Sequence, residues 1–279
     1  MKIGVIGLGL IGGSIAKAVK TNTDHIIYGY DLNDTVEKKA LLVNAIDFSL
    51  TDDLLVQCDL IIVALYPGAT ISFIKEKALL FKKGGIVLDC CGVKSLVCHE
   101  VEPIAAKHDF VFIGGHPMAG LEHSGFDHTK TALFDQASMI LIPTKGDIQS
   151  VDTVKTLCTQ IGFTNIQIAT ASKHDEMIAF TSQLAHVVSS AYIKSPTALA
   201  HDGFSAGSYK DMTRVAKLNE SMWTELFLDN KDYLVKEIDQ MVSHLQDYRQ
   251  AINSRDENKL KQLLKEGREK KALIDKEIF

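Results

Sequence analysis

A glycine-rich turn near the start of the chain limits the folds that are open to this sequence. The segment Gly7-Leu8-Gly9-Leu10-Ile11-Gly12 follows a short apolar run, Lys2–Ile6, and leads into a helical pattern over Leu10–Lys20. A second apolar run, Ile26–Tyr30, comes next. Glycines spaced G-x-G-x-x-G between a strand and a helix are typical of a βαβ unit whose turn meets a ligand.

Each glycine of this turn has a separate physical task. Gly7 allows the tight turn, Gly9 lets the backbone approach a pyrophosphate, and Gly12 lets the helix pack close to the strand. The helix N-terminus then offers unpaired N–H groups and a partial positive charge to the phosphates. We therefore predict that residues 7–12, including Leu8, Leu10 and Ile11, bind a dinucleotide cofactor.

Two further features bear on the cofactor: one predicts which dinucleotide binds, and the other predicts a further contact with it. Asp31 ends the second strand, about 20 positions after the glycines, where an acidic side chain accepts hydrogen bonds from the adenosine ribose. Its charge would repel the extra phosphate of NADP, so we predict NAD; the alternative is that Asp31 only caps the next helix. Leu65, Tyr66 and Pro67 end another apolar run and are predicted as a further cofactor contact, although backbone shape alone could explain that turn.

The remaining pattern divides the chain in two. Apolar runs that read as strands alternate with helices up to about Ile168, which predicts a parallel sheet covered by helices on both faces. The predicted strands after Tyr30 are Leu60–Leu65, Ile86–Asp89, Phe110–Ile113 and Met139–Ile142, and a helix is predicted over Asp34–Asn44. Helical patterns follow at Met177–Ser195, from Asp211 to Lys217, at Asn230–Asn253 and at Glu257–Lys276. The prediction is an α/β domain of residues 1–168 and an all-helical domain of residues 169–279.

Charge and cysteine content exclude several classes of function. The net charge of −5 comes without a strongly basic block, so nucleic acid is not an expected partner. The odd number of cysteines, five, with two adjacent, indicates reduced thiols in the cytoplasm. No cysteine or histidine spacing matches a metal ligand set, and no apolar run is long enough to cross a bilayer.

The segment GGHPMAGLEHSG, residues 114–125, holds the main catalytic candidate. Its glycines favour a loop after the strand Phe110–Ile113, and Pro117 restrains His116 toward an extended backbone. Ligands of parallel sheets bind at the carboxyl ends of the strands, so His116 is placed to accept a proton from an alcohol as hydride leaves. The alternative is a structural loop histidine, and His123 and His128 are expected on the surface.

Three motifs together resemble the prephenate/arogenate dehydrogenase family of tyrosine biosynthesis. They are GLGLIGGS at residues 7–14, GGHPMAGLEHSG, and YKDMTRVA at residues 209–216 followed by Met222-Trp223. The resemblance implies a Rossmann-type NAD domain followed by a helical domain that forms a homodimer. It also implies oxidative decarboxylation of prephenate or arogenate, with His116 polarising or deprotonating the substrate hydroxyl.

The resemblance also implies a set of substrate contacts. Arg214 matches the family arginine that binds a substrate carboxylate, and Asp211, three residues earlier, is placed to orient it. Without the resemblance, Asp211 and Arg214 would be interpreted as a surface ion pair. His186 matches a substrate-contacting histidine, although a lone histidine on an apolar helix is more often a core residue.

Two positions depart from the family pattern. Many members have D-x-x-S-x-K where this chain has Asp89 to Lys94, so Gly92 stands in place of a serine that helps to hold the histidine. Gly92 and Lys94 are still expected at the substrate site, with a backbone group, a water or Ser95 replacing the hydroxyl. Members often show S-H-L-P-H where this chain has Gln183 in place of the first histidine, and Gln183 is expected to hydrogen-bond in its stead.

Three other functions fit parts of the pattern. A β-hydroxyacid dehydrogenase also joins a G-x-G-x-x-G domain to a helical one, but Lys194 and Lys210 lack the context of its catalytic lysine. A non-catalytic NAD sensor would make His116 and Arg214 structural. An oligomerisation scaffold would rest only on the long charged helices. The sequence does not separate prephenate from arogenate as the substrate.

Overall fold

The computed structural model of the chain describes residues 1–144, 148–201, 203–204 and 206–278. The strands are β1 (Lys2–Ile6), β2 (Ile26–Tyr30), β3 (Phe48–Ser49), β4 (Leu60–Val63), β5 (Ile86–Asp89), β6 (Val111–Met118), β7 (Ser138–Pro143) and β8 (Asn165–Ile168). The helices are α1 (Leu10–Asn22), α2 (Asp34–Leu42), α3 (Asp52–Leu55), α4 (Pro67–Lys77), α5 (Ser95–His108), α6 (Ile148–Gln160), α7 (Ala171–Ile178), α8 (Ala185–Tyr192), α9 (Gly207–Thr213), α10 (Glu220–Asp229), α11 (Lys231–Asn253) and α12 (Glu257–Ile278).

The strands form one sheet in the order β3-β2-β1-β4-β5-β6-β7-β8. Every neighbouring pair is parallel except β6 and β7, which are antiparallel. The chain order reverses between β1 and β4, and an open parallel sheet binds its ligands beyond the carboxyl ends of the strands at such a point. The predicted α/β architecture is confirmed, as a mostly parallel rather than an entirely parallel sheet.

Alternating side chains bury both faces of the sheet. In β4, Leu60 and Ile62 belong to a core cluster that also contains side chains of α1 and α6. Ile61 and Val63 belong to a second cluster with side chains of α4 and α5. Because a strand with two buried faces needs apolar residues at every position, the continuous apolar run of β4 suits the centre of the sheet.

The predicted loop around His116 is wrong for its first half. The glycines, His116 and Pro117 extend β6 to Met118, and His116 lies in register with Ile140 of β7. An antiparallel partner overrides the weak strand propensity of glycine, and Gly115 suits this place because a Cβ there would lie 2.4 Å from the Asp89 carbonyl oxygen.

Other boundaries also differ from the sequence prediction. The strands β3 and β8 were not predicted. Each has four residues or fewer and no fully buried side chain, so neither shows a continuous apolar run in the sequence. The predicted helix Met177–Ser195 is instead α7, a π-helical segment over Ala179–Leu184, and α8. The Arg214 segment is a 3-10 turn that follows α9 rather than part of a longer helix.

The chain divides into two compact units, residues 1–230 and 231–279. The second unit contains α11 and α12, which contact each other, and α11 presents the exposed apolar side chains Val235, Val242, Leu245 and Ile252. Among the described residues, no helix has the length and apolar character needed to cross a membrane.

Candidate active site

The glycine-rich turn leaves an open cradle at the start of α1. Gly7 has a φ of +84°, and its N–H donates to the Tyr30 carbonyl oxygen at 2.8 Å. A Cβ on Gly12 would lie 1.9 Å from the Gly7 carbonyl oxygen, whereas nothing lies within 4 Å of a Cβ on Gly9. Gly12 therefore serves the packing of α1 on β1, and Gly9 faces the space that a pyrophosphate requires.

Asp31 braces this turn. One carboxylate oxygen accepts the Leu8 N–H at 2.9 Å, and the other accepts the Asn33 N–H at 2.9 Å. The cap of α2 is Asn33, whose side chain accepts from the Thr35 N–H, so Asp31 does not cap that helix. An acidic group at the end of β2 beside an open glycine cradle fits the adenosine ribose of NAD.

The turn after β4 lies at the same edge of the sheet. Tyr66 is the N-cap of α4, and Pro67 is its first residue. The Gly68 N–H donates to Glu225 of α10 at 2.6 Å, so a carboxylate of the helical region already pairs with the N-terminus of α4.

His116 is the first member of a hydrogen-bonded chain. Its Nδ1 lies 2.8 Å from Nε2 of His174, and Nδ1 of His174 lies 2.7 Å from Asp175. The sheet register explains the approach: Gly115 of β6 faces Leu141 of β7, which faces Ile168 at the end of β8, and α7 begins shortly after. His174 and Asp175 are buried.

The carboxylate of Asp175 lies at the N-terminus of α5. It accepts the backbone N–H groups of Lys94 at 2.8 Å and Ser95 at 2.7 Å, where α5 begins. Burial alone would raise its pKa, but the hydrogen bonds from His174, Ser95 and Lys94 outweigh burial and lower the pKa of Asp175. Asp175 is therefore ionised at neutral pH and can only accept hydrogen bonds.

The surroundings keep His116 neutral. Burial holds its pKa well below the usual value, and the charges of His174 and Lys94 lower it further, while Asp175 opposes them. The Nδ1 atom is engaged by His174, so Nε2 is the atom left for a substrate. A Cβ on Gly92 would lie 3.9 Å from Nε2 and 3.3 Å from Cδ2 of Leu226. A neutral imidazole with one open nitrogen can act as a general base.

A second cluster pairs an aromatic ring with two basic side chains. The His186 ring packs at a tilt of 32° against Trp223, with centroids 3.9 Å apart, and its Nδ1–H donates to the Ser182 carbonyl oxygen at 2.8 Å. Burial lowers the pKa of His186, and the nearby charge of Arg214 lowers it further. Nε2 of His186 is left without a hydrogen-bond partner among the described residues, and the exposed guanidinium of Arg214 is near enough for its charge to act on this ring.

Sequence and structure comparisons agree on one family. The family model described as the prephenate dehydrogenase nucleotide-binding domain matches residues 15–166, and the model of the dimerization domain matches residues 170–266. The chain belongs to the prephenate dehydrogenase family.

Members of this family align over the whole chain. Cyclohexadienyl dehydrogenase of Zymomonas mobilis is 30% identical over 98% of this chain and 95% of its own length. The crystal structure of Synechocystis arogenate dehydrogenase covers 98% of this chain and all of its own, with 25% identity and a TM-score of 0.83. The structure of Aquifex aeolicus prephenate dehydrogenase in complex with hydroxyphenyl propionate and NAD+ covers 98% of each chain, with 28% identity and a TM-score of 0.85.

Lys94 does not lie where the family resemblance suggested. Its side chain is fully buried, and its ammonium group donates to Asp89, which also accepts the N–H groups of Gly115 and Cys91. The pair therefore supports the backbone at Gly115, directly before His116, and at Cys91. This placement does not support a substrate contact by Lys94, because no ligand can reach a side chain that is enclosed in the core.

Gln183 is also enclosed. Its Nε2 donates to the Leu226 carbonyl oxygen at 2.9 Å, and its Oε1 accepts from Asn230 at 2.7 Å. Asn230 donates as well to the Asp175 carbonyl oxygen at 2.9 Å. Gln183 thus ties the π-helical segment to α10 and fixes Leu226 near His116, rather than reaching a substrate.

The π-helical segment sets the direction of His186. His174 and His186 are 12 positions apart. In an uninterrupted α-helix they would point about 120° apart. The wider π turns absorb about one residue, so ideal geometry reduces the offset to about 20°.

Arg214 lacks the partner that the sequence suggested. Within the described ranges, no ion pair or hydrogen bond joins Arg214 to Asp211, and both side chains are exposed. The 3-10 turn replaces the α-helical spacing on which that prediction rested. The arginine is therefore free of Asp211 to meet an anion.

His174 and Asp175 are the residues beside His116 that the sequence interpretation missed. Neither lies in a motif, and His174 is 58 positions from its partner His116. The sequence carried little signal, because the residue pattern does not show that this His-Asp pair is buried. In the described part of the chain, no group of histidine, cysteine and acidic residues is arranged to hold a metal ion.

Proposed function

We propose that this member of the family oxidises and decarboxylates prephenate or arogenate with NAD, in tyrosine biosynthesis. The observation that carries the proposal is a neutral, partly buried His116 at the carboxyl end of β6, with Nε2 open beside Gly92. Such a group suits removal of a hydroxyl proton, and the matched relatives carry the names of dehydrogenases of cyclohexadienyl substrates.

The proposed reaction balances without an external acid or base. As hydride leaves the ring carbon that bears the hydroxyl, Nε2 of His116 takes the hydroxyl proton and the C–O bond becomes a carbonyl. The bond between the ring and its carboxylate then breaks, carbon dioxide departs, and the electron pair makes the ring aromatic. The phenolic oxygen recovers its proton from His116, which ends the cycle neutral.

The residues present fit NAD. The open position at Gly9, the uncapped start of α1 and the carboxylate of Asp31 match its pyrophosphate and ribose. When bound, NAD supplies the hydride acceptor. Residues 7–12 and Asp31 bind it in this proposal, and Leu65, Tyr66 and Pro67 contact it from the turn before α4.

Arg214 and His186 bind the substrate carboxylate in this proposal. Each charged hydrogen bond to a carboxylate contributes about 1.5–3 kcal/mol. Trp223 packs against the His186 ring and limits its rotation. Gly92 leaves space over His116 for the substrate hydroxyl.

We also propose a homodimer formed through the helical domain, residues 169–279, with residues 1–168 as the cofactor domain. The match to a dimerization domain and the exposed apolar side chains of α11 support this arrangement. Five free cysteines favour a reducing compartment, so we place the enzyme in the cytoplasm.

The experiment is NADH formation by the purified protein with NAD and prephenate, and separately with arogenate. His116→Asn should abolish turnover with whichever substrate is used while NAD still binds. His99→Asn, a change at an exposed histidine of α5, is the matched control and should keep full activity. Tight NAD binding without turnover on either substrate would instead favour the sensor.

A further inference from the structure

Two hydrogen bonds connect His116 through His174 to Asp175. We propose that His174 and Asp175 are positioning residues that fix the tautomer and orientation of His116, and that they supply what the family serine supplies where this chain has Gly92. The inference rests on the proposed function, because it assigns a role in the same reaction.

The hydrogen bonds permit one pattern when both rings are neutral. Asp175 is a carboxylate and only accepts, so Nδ1 of His174 must donate to it. Nε2 of His174 then carries a lone pair and accepts from Nδ1–H of His116. The second nitrogen of His116, Nε2, is left with its lone pair toward the site, which is the state a general base requires.

Asp175, the last residue of this hydrogen-bonded series, is fixed in position by several hydrogen bonds. Asp175 accepts two backbone N–H groups at the start of α5, at 2.8 and 2.7 Å, and its own carbonyl oxygen accepts from Asn230. His174 is fully enclosed, so its ring has no space to rotate. A fixed acceptor therefore dictates the orientation of the His174 ring, and that ring dictates the orientation of His116.

The open side of His116 lacks any comparable restraint. In the part of the chain that the structure describes, no side chain hydrogen-bonds Nε2 of His116, and Gly92 lies between this atom and the apolar side chain of Leu226. A serine at position 92 would bring a hydroxyl within reach of Nε2, but glycine has none. Orientation must then come from the Nδ1 side, where His174 lies.

The charges around His116 give the pair a pH signature. Burial and the charge of Lys94 lower the pKa of His116, the carboxylate of Asp175 raises it, and Asp89 pairs with Lys94. Asp175→Asn should therefore move the acidic limb of kcat/KM to lower pH.

The first test compares His174→Gln with His99→Gln, which makes the same change on an exposed surface. We expect His174→Gln to lower kcat by about 100-fold, within the usual range for a proton-transfer group, with the Kd for NAD within about twofold of wild type. His99→Gln should behave as wild type. A loss in kcat below about threefold in His174→Gln, or an acidic limb that does not move in Asp175→Asn, would overturn the proposal.

The second test asks whether Gly92→Ser compensates. In the His174→Gln background, the new hydroxyl should restore about tenfold of the lost kcat, after Leu226 yields by a few tenths of an ångström. No gain in this double variant, with NAD binding intact, contradicts the assignment of one shared task to the two positions.

A third measurement needs no variant and stays informative if a substitution prevents folding. Nitrogen-15 NMR of the imidazoles of the wild-type protein should show His116 neutral with its proton on Nδ1. A proton on Nε2 would refute the inference. This readout is also independent of turnover. Inactivity on both substrates would refute the proposed function, whereas the tautomer of His116 would still test the positioning role of His174 and Asp175.

Discussion

The two glycines Gly9 and Gly12 should separate cofactor binding from folding. They are three residues apart in the same turn, but their surroundings differ. A methyl group at position 9 would meet nothing within 4 Å, whereas at position 12 it would lie 1.9 Å from the Gly7 carbonyl oxygen and 2.9 Å from Cβ of Ala64.

Gly9→Ala should therefore leave the fold intact and damage the cradle. A methyl group between the backbone and the pyrophosphate removes at least one charged hydrogen bond, which contributes about 1.5–3 kcal/mol. The Kd for NAD should rise about 10- to 150-fold, and the melting temperature without NAD should stay within about 2 °C of wild type. Gly12→Ala has no such freedom, because the backbone of α1 must move off β1. Such overpacking should cost about 1–3 kcal/mol of folding free energy.

The assay is calorimetric titration with NAD together with thermal melting without NAD. Gly267→Ala, which also places a methyl group in open space but in α12, is the control and should leave NAD affinity unchanged. A Gly9→Ala variant that binds NAD as wild type does, or that melts far lower, would refute the assignment of Gly9 to the cofactor.

Three further predictions follow from the site. Arg214→Gln should lower kcat/KM for the substrate about 10- to 150-fold through the loss of one charged hydrogen bond, while Asp211→Asn should change kcat/KM less than threefold. Equal losses for the two variants in steady-state kinetics would instead indicate that Asp211 and Arg214 act together as an ion pair. Asp31→Ser should raise the ratio of kcat/KM for NADP to that for NAD by at least about tenfold, and Asp34→Ser in the exposed first turn of α2 should not; an unchanged ratio would leave Asp31 as a brace of the turn only. Asp89→Asn should lower the free energy of unfolding in urea by about 3–5 kcal/mol because it leaves Lys94 enclosed without its partner. Glu100→Gln, in a partly exposed pair with Lys75, should lower it by at most about 1 kcal/mol. Similar losses would mean that the buried pair contributes no more than an exposed one.

The cofactor turn could be predicted because its constraints are local in sequence. The φ of Gly7 and the close approach of Gly12 to Gly7 arise within six residues, and they leave a direct mark as glycine spacing. The strands at the centre of the sheet were predicted for a similar reason, since burial on both faces demands unbroken apolar runs such as that of β4.

The rest of the site depends on contacts between distant segments. Antiparallel pairing with β7 draws the glycines around His116 into β6, although glycine alone favours a loop. The π-helical segment changes the facing of His186 without any sign in the apolar pattern. His174 reaches His116 across 58 positions, through the register of β6, β7 and β8.

Buried polar pairs were the hardest feature to anticipate. Lys94 and Gln183 have side chains that suit a ligand, and only the structure shows that Asp89 and Asn230 occupy their polar groups. The sequence does not distinguish a lysine that meets a substrate from one that is enclosed with a partner, because both need the same residue type.

The most direct test of the central proposal measures two products in one reaction. Prephenate labelled in the ring carboxylate, incubated with NAD and the purified protein, should release labelled carbon dioxide and form NADH in equal amounts, and arogenate is tested in the same way. Both products should vanish together in His116→Asn and persist in His99→Asn. NADH without carbon dioxide, or equal turnover in His116→Asn, would contradict oxidative decarboxylation with His116 as the base.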